Sequence, residues 1–297
     1  MADVRSARTA VERIRKVVAA GTGQWTDTEL LATLDEVLSS VWTQTNMAGR
    51  DHTLDSIEVT TPDLVAVSGV TGAYEWDPPA YVGPVRALEW LRAQSPESAV
   101  PIPTGALLMA RGYLSNYPQQ LAWHRTGADV VRISGLTATP QVRVWFLRRW
   151  PAMHFGTTGA IGTTTQMTLA PTAGVAPARP GWYVASRIVW NSGTNLDALV
   201  RVTSNTASPL VLNFTPTLAN AVAAGEQYSL LLPCDPEHAD YVIQEAALRL
   251  LSTRDGNSQQ AREQRILVAK LEQAFVADLA ERDMARQRRP SNSRTYR

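Results

Sequence analysis

The side chains best suited to chemistry in this chain are four histidines, one cysteine and a few neighbouring carboxylates. His52, His124, His154 and His238 lie in four separate segments, with no HxxxH or HExxH spacing that would set two imidazoles on one helix face for a metal. Cys234 is the only cysteine, which excludes a disulfide framework within the chain. Only His238 is near it in sequence, a weak basis for a thiol nucleophile, and it reads as a small buried hydrophobe. "GTTGAIG" (156–162) has neither the glycine spacing of a dinucleotide loop nor the lysine of a P-loop, and reads as a flexible linker. The carboxylate pairs Asp235/Glu237 and Asp278/Glu281 fall on helix starts or exposed helix faces, where capping and solvation account for them. Glu89 and Glu97 could act as acids in a cell-wall hydrolase, but no polar cluster accompanies them. The expectation is a protein with no catalytic residues, no cofactor and no metal, and not an enzyme.

The aromatics leave two readings open. Trp76, Tyr81, Trp90, Tyr113, Tyr117 and Trp123 fall in or beside loops of a β region. They suit a protein interface, where a large apolar area and a polar handle are both useful, and they are also ordinary core residues, the reading favoured here. Trp182, Tyr183 and Trp190 lie further on, in a block poor in charge. They could supply stacking platforms for sugars.

These residues must be positioned by elements that the periodicity reveals. Residues 3–20 read as a helix with Val4, Ala7, Val11, Ile14 and Val18 on one face. "QWTDTELLATLDEVLSSVW" opens a second helix, with Thr26 and Glu29 as a capping box and Trp25 with Leu30 as a hydrophobic staple. From Ile57 the texture changes to short alternating runs: "SIEVT", "LVAVSG", "LAWHR", "DVVRISG" and "QVRVWFLRRW". In the last, both faces are partly apolar, as for a strand covered on two sides. "GPVRALEWLRA" (83–93) reads as a short helix. Residues 155–233 carry few charges, and strands are expected at 165–170, 182–190, 198–204, 209–214 and 227–232, as in a small sandwich or barrel. Its surface is either covered by other protein or solvated by threonines. After "LLPCDP" a helix starts with Asp235 as cap and Pro236 at its first position. A longer one follows from about Gln259 to Arg288, with Leu267, Leu271, Ala274, Phe275 and Asp278 on one side.

The fold class expected is α+β: a helical bundle from the N- and C-terminal helices, a projecting β region, and an inserted small β-sandwich or barrel. The domains read as 1–154 with 234–288 for the helical body and its β region, 155–233 for the inserted low-charge β domain, and 289–297 for a flexible basic tail.

With 297 residues and a net charge of +1, the chain is long enough for a sizeable core and has no global field to draw it onto nucleic acid or membrane. Lys16 and Lys270 are the only lysines among 28 cationic residues, a bias that fits a GC-rich genome as well as bidentate pairing. No stretch approaches the ~20 apolar residues of a membrane span, and the first residues lack the apolar run of a signal peptide. A cytoplasm-like compartment is expected. The charge is local: Arg286, Arg288, Arg289, Arg294 and Arg297 follow Met284 with no acid among them, and Tyr296 adds an aromatic anchor. Arginine forks suit carboxylates of a protein partner or phosphates of DNA.

Three stretches, taken together, resemble the head-to-tail connector (adaptor, or head-completion) proteins of tailed bacteriophages. "QWTDTELLATLDEVLSSVW" is similar to the aromatic-Ser/Thr-Asp-x-Glu-Leu-Leu helix start of such adaptors. "VRISGLTATPQVRVWFLRRWP" resembles their paired strands, and the text from "YVIQEAALRLL" to "LAERD" their closing helical hairpin. These cover about half of the chain. The block 155–233 departs from the pattern, since compact adaptors run straight from the paired strands to the final helices. The resemblance implies a structural virion protein at the head–tail junction, or neck, assembled in the host cytoplasm. Such a protein docks on the portal in a dodecameric ring with copies of itself. It extends the DNA channel toward a tail or tail-terminator protein, passes DNA without reading its sequence, and needs no membrane. The basic tail, Arg286 to Arg297 with Tyr296, would then bind the portal. Trp76, Tyr81, Tyr113 and Tyr117 are candidate interface aromatics from their residue types and loop positions alone. The alternative is a tail-completion protein, or one that binds host carbohydrate through the β block.

Overall fold

A computed structural model of the chain describes residues 5–18, 25–47, 54–79, 81–91, 99–102, 104, 121–126, 130–136, 140–174, 176, 178–207, 209–256 and 258–287. The fold is mixed α and β, with four α-helices and a closed six-stranded barrel among the described residues. The chain divides into two compact units, residues 51–149 and the remainder. None of the described helices is long and apolar enough to cross a membrane.

The chain opens with α1 (Ala7–Val18) and α2 (Asp27–Met47). Ala7, Ala10, Val11, Ile14 and Val18 form the buried face of α1. The capping box of α2 is reciprocal: the Glu29 N–H donates to Thr26 Oγ1 at 3.2 Å, and the Thr26 N–H donates to Glu29 Oε2 at 2.8 Å. Those bonds to Thr26 favour the ionised Glu29 and hold its pKa below the usual carboxylate value. Leu30, Leu31, Leu34, Val37, Leu38 and Val41 are buried behind the cap, as the periodicity requires.

Unit 51–149 contains β1 (Leu54–Thr60), β2 (Val65–Ala66), β3 (Tyr74–Trp76), β4 (Val82–Leu91), β5 (Ala99–Ile102), β6 (Ala122–Thr126), β7 (Val130–Ser134) and β8 (Gln141–Arg148). Two antiparallel sheets result, ordered β1-β8-β4-β5 and β2-β3-β7-β6. They share a core that includes Val59, Trp76, Leu88, Trp123, Ile133, Val142, Val144 and Phe146. The stretch expected as a helix at 83–93 is therefore strand β4 as far as Leu91. Two register shifts, between Val82 and Val85 and between Val85 and Ala87, break its alternation. Val85, Leu88 and Trp90 face the same row as Phe146, Val144 and Val142, and a three-then-two spacing imitates a helical stripe. On β8 the even residues are buried, whereas Arg143 and Trp145 on the other face stay half exposed.

After Arg149 come β9 (His154–Gly162), β10 (Gln166–Gly174), β11 (Arg187–Trp190), β12 (Leu199–Asn205), β13 (Val211–Thr215) and β14 (Gln227–Leu230). They close into the barrel β10-β13-β12-β11-β14-β9. "GTTGAIG" is not a linker but most of β9. A Cβ on Gly162 would lie 2.5 Å from the Val222 carbonyl oxygen, so a glycine lets this wall close. The chain then makes a 3₁₀ turn (Pro236–His238), α3 (Ala239–Asp255) and α4 (Gln259–Gln287). Pro236 takes the expected first position, but Asp235 makes no side-chain cap bond.

The expected inserted domain 155–233 is not where the chain divides. One hydrophobic core joins α1, α2, α3 and α4 to the barrel, from Ile14, Leu34, Val242 and Phe275 to Trp190, Leu212 and Tyr228. The first residues bridge the barrel directly: Ser6 pairs with Leu231, and the Leu232 N–H donates to the Arg5 carbonyl at 2.8 Å. Long-range pairing of this kind leaves no local trace in composition, so the charge-poor texture marks the barrel without marking a boundary. Within this unit α1, α2 and α4 each lie against α3.

Candidate functional site

The groups singled out for chemistry are dispersed. His154 lies inside the barrel, fully buried, with Nε2 3.2 Å from the Tyr183 hydroxyl and Nδ1 3.2 Å from the Tyr228 hydroxyl. Both rings meet it edge-on. Burial pushes its pKa down to about 3 and raises those of both tyrosines, so all three are neutral across the ordinary pH range. A neutral imidazole donates from one nitrogen and accepts at the other, which matches two flanking hydroxyls.

His124 sits on β6 in the lateral row Glu75–Arg132–His124, set by the registers of three strands. Burial and the adjacent Arg132 push its pKa down. The companion sheet carries a similar row: Arg143 lies between Glu58 at 2.8 Å and Glu89 at 3.7 Å. Glu89 is thus an ion-pair partner of Arg143. His52 and Glu97 lie outside the described residues.

His238 has two carboxylates close by, one of them bonded to it directly. Its Nε2 lies 3.1 Å from Asp278 Oδ2, its ring meets Phe275 edge-on at 4.8 Å, and ligand atoms of Glu237, His238 and Asp278 all lie within 4.8 Å of one another. The spacing in sequence hid this grouping, because Asp278 arrives from α4, forty residues away. The direct His238–Asp278 bond ties the 3₁₀ turn to α4. The nearby Cys234 thiol is pushed up to about 12, chiefly by burial, and stays protonated.

Among the aromatics, Trp76 and Trp123 belong to the core of unit 51–149. Tyr81 is half-buried there, 5.1 Å from the Arg148 guanidinium. Trp90 is partly buried against the same core, and Tyr113 and Tyr117 lie outside the described residues. Tyr183 and Trp190 are fully buried in the barrel, so neither offers a face to a sugar. Trp182 alone of that trio is partly exposed, with Arg179 over its ring at 5.7 Å.

Two surface features went unread in the sequence. The loop between β11 and β12 is held from below by buried Glu226, which accepts from the Thr194 N–H at 3.1 Å, the Thr194 hydroxyl at 3.0 Å and Asn195 Nδ2 at 3.4 Å. Gly193, at φ +86°, lies over that carboxylate, and the loop presents Leu196, 58% exposed. The second feature is α4. Its buried positions are Ala261, Gln264, Val268, Phe275 and Leu279, whereas Leu267 and Ala274, expected on the inner side, are exposed. The helix continues eight residues past Leu279, to Gln287. Arg288, Arg289, Arg294, Tyr296 and Arg297, and the side chain of Arg286, lie outside the described residues.

Compared with models of known protein families and with curated proteins, the chain matches neither.

Proposed function

We propose that this chain is a structural virion protein of a tailed bacteriophage, a head-to-tail adaptor. It docks on the portal as a ring of copies of itself and extends the DNA channel toward a tail or tail-terminator protein at the neck. The sequence resemblance supports this reading. One structural observation carries it furthest: helices from the two ends of the chain lie together on α3, as a ring body built from an N- and C-terminal helical bundle requires. Within that body α4 runs past its last described buried residue and leads directly into the basic segment. In this reading the arginines of that segment pair with carboxylates of the portal. DNA passes through the channel without base-specific contacts, and neither membrane nor cofactor takes part.

The test is co-sedimentation of the purified protein with portal rings encoded by the same genome. Binding is expected, and truncation after Met284 should weaken it at least tenfold, ~1.4 kcal/mol, while leaving the helical signal unchanged. No binding to the portal would overturn the reading. Full binding by the truncated chain would remove the tail from it.

A further inference from the structure

Opposite its buried face, α4 carries a second pattern. Ile266, Ala269, Gln273, Val276 and Ala280 recur at alternating spacings of three and four and are all exposed, Ile266 at 61% and Val276 at 54%. This is the a/d repeat of a coiled-coil seam, here without a partner among the described residues. With Ile266 as an a position, Glu263 and Lys270 take the e positions and Arg265 and Glu272 the g positions, and all four are exposed.

The charges choose an orientation. A parallel pair would set Arg265 of one helix against Lys270 of the other, a like-charge contact. An antiparallel pair sets e against e and g against g. Placing Ile266 opposite Ala269 of the second helix then brings Glu263 opposite Lys270 and Arg265 opposite Glu272. Twofold symmetry makes each of these pairs occur twice. One register thus satisfies all eight charges, and it is the same register that packs the largest apolar residue against a small one.

We propose that the outer face of α4 docks antiparallel on the same face of a second copy of this chain, in that register. The two central layers pair Ile266 with Ala269, and the alanines let the helices approach closely. The next layers pair Arg262 with Gln273, which are polar and add little apolar burial. So short a seam falls below the ~1,000 Å² of a stable interface, and the dimer is weak and reversible. An isologous pair closes at two copies, which distinguishes it by mass from any ring. The inference stands independently of the virion reading.

The experiment is sedimentation velocity on the full chain over a rising concentration series, up to high micromolar. The wild type should move from monomer to dimer. Glu263→Lys and Lys270→Glu, both at exposed positions, should each weaken the dimer about tenfold, ~1.4 kcal/mol, because two attractive pairs become repulsive. An equimolar mixture of these two variants restores both pairs between unlike chains and should associate as tightly as the wild type. A wild type that stays monomeric, a dimer indifferent to either reversal, or a mixture no tighter than its components would each overturn the proposal.

Discussion

The carboxylate of Asp35, on α2, receives the backbone N–H of Met153 at 2.9 and 3.1 Å, tying the helix to the chain just ahead of the barrel. Burial dominates over that bond and lifts the Asp35 pKa to about 7. Between the ordinary carboxylate value and about 7, the folded chain keeps a proton that the unfolded chain releases. Asp35 therefore subtracts stability as pH rises through that window. Asp35→Asn retains an acceptor for the Met153 N–H and abolishes the titration. Its advantage over the wild type should grow from about pH 4 to pH 7, reaching on the order of 4 kcal/mol at pH 8. Urea unfolding at three pH values measures the difference, and a difference independent of pH would refute the assignment.

His154 acts in the opposite sense. Its pKa is lowered to about 3 in the folded barrel, so below the ordinary imidazole value the unfolded chain binds a proton that the folded chain refuses. Stability is fully present above about pH 6.5 and is lost as pH falls toward 3. The two slopes partly cancel in the wild type, and Asp35→Asn should unmask the His154 slope as a stability that rises with pH. By NMR the His154 ring signals should not titrate between pH 5 and pH 8. A midpoint in that range would mean that the imidazole is not sealed between Tyr183 and Tyr228.

The helices of this fold are legible in the sequence because their signals are local. The Thr26–Glu29 box, the α1 stripe and the run Val242, Ile243, Ala246, Ala247, Leu250, Leu251 each lie within a few turns. The strands were legible where alternation is unbroken, as in β8. Where bulges interrupt it, as in β4, the pattern counterfeits a helix. Least legible were the groupings that only tertiary pairing makes: Asp278 beside His238, the Glu75–Arg132–His124 row, and Glu226 under the Thr194 loop. Each joins residues distant in sequence, and no spacing rule links them.

The division of the chain gives a third expectation. The barrel shares its core with α1, α2, α3 and α4, so deletion of 155–233 should expose that core and abolish cooperative unfolding of the helices. Replacing 51–149 with a short Gly/Ser link should instead leave the remaining unit folded, since that segment has its own core and sheets. Far-UV circular dichroism through a thermal melt distinguishes the two variants. A cooperative helical transition in the first, or its loss in the second, would reverse the assignment of units.

The pairing of Arg148 with Asp55 gives the last. Arg148 is buried, only 6% exposed, and donates from Nε to Asp55 Oδ2 at 3.0 Å, with Tyr81 on its other flank at 5.1 Å. Asp55 stands on β1 in the row of Phe146 and Val85, on the core side of the sheet. A buried guanidinium is costly once its carboxylate is removed, because the solvation lost on folding is then less fully offset. Asp55→Ala should therefore destabilise unit 51–149 by about 2 kcal/mol, less than for a fully buried pair because Asp55 keeps partial contact with water. Arg148→Met places an apolar chain of similar reach against Tyr81 and Phe146 and should cost less. The double variant Asp55→Ala with Arg148→Met should then be more stable than Asp55→Ala alone, a coupling that a double-mutant cycle by denaturant unfolding reads directly. Strictly additive effects would show that the two side chains do not depend on each other, and that the strand pairing of β1 with β8 fixes this corner without them.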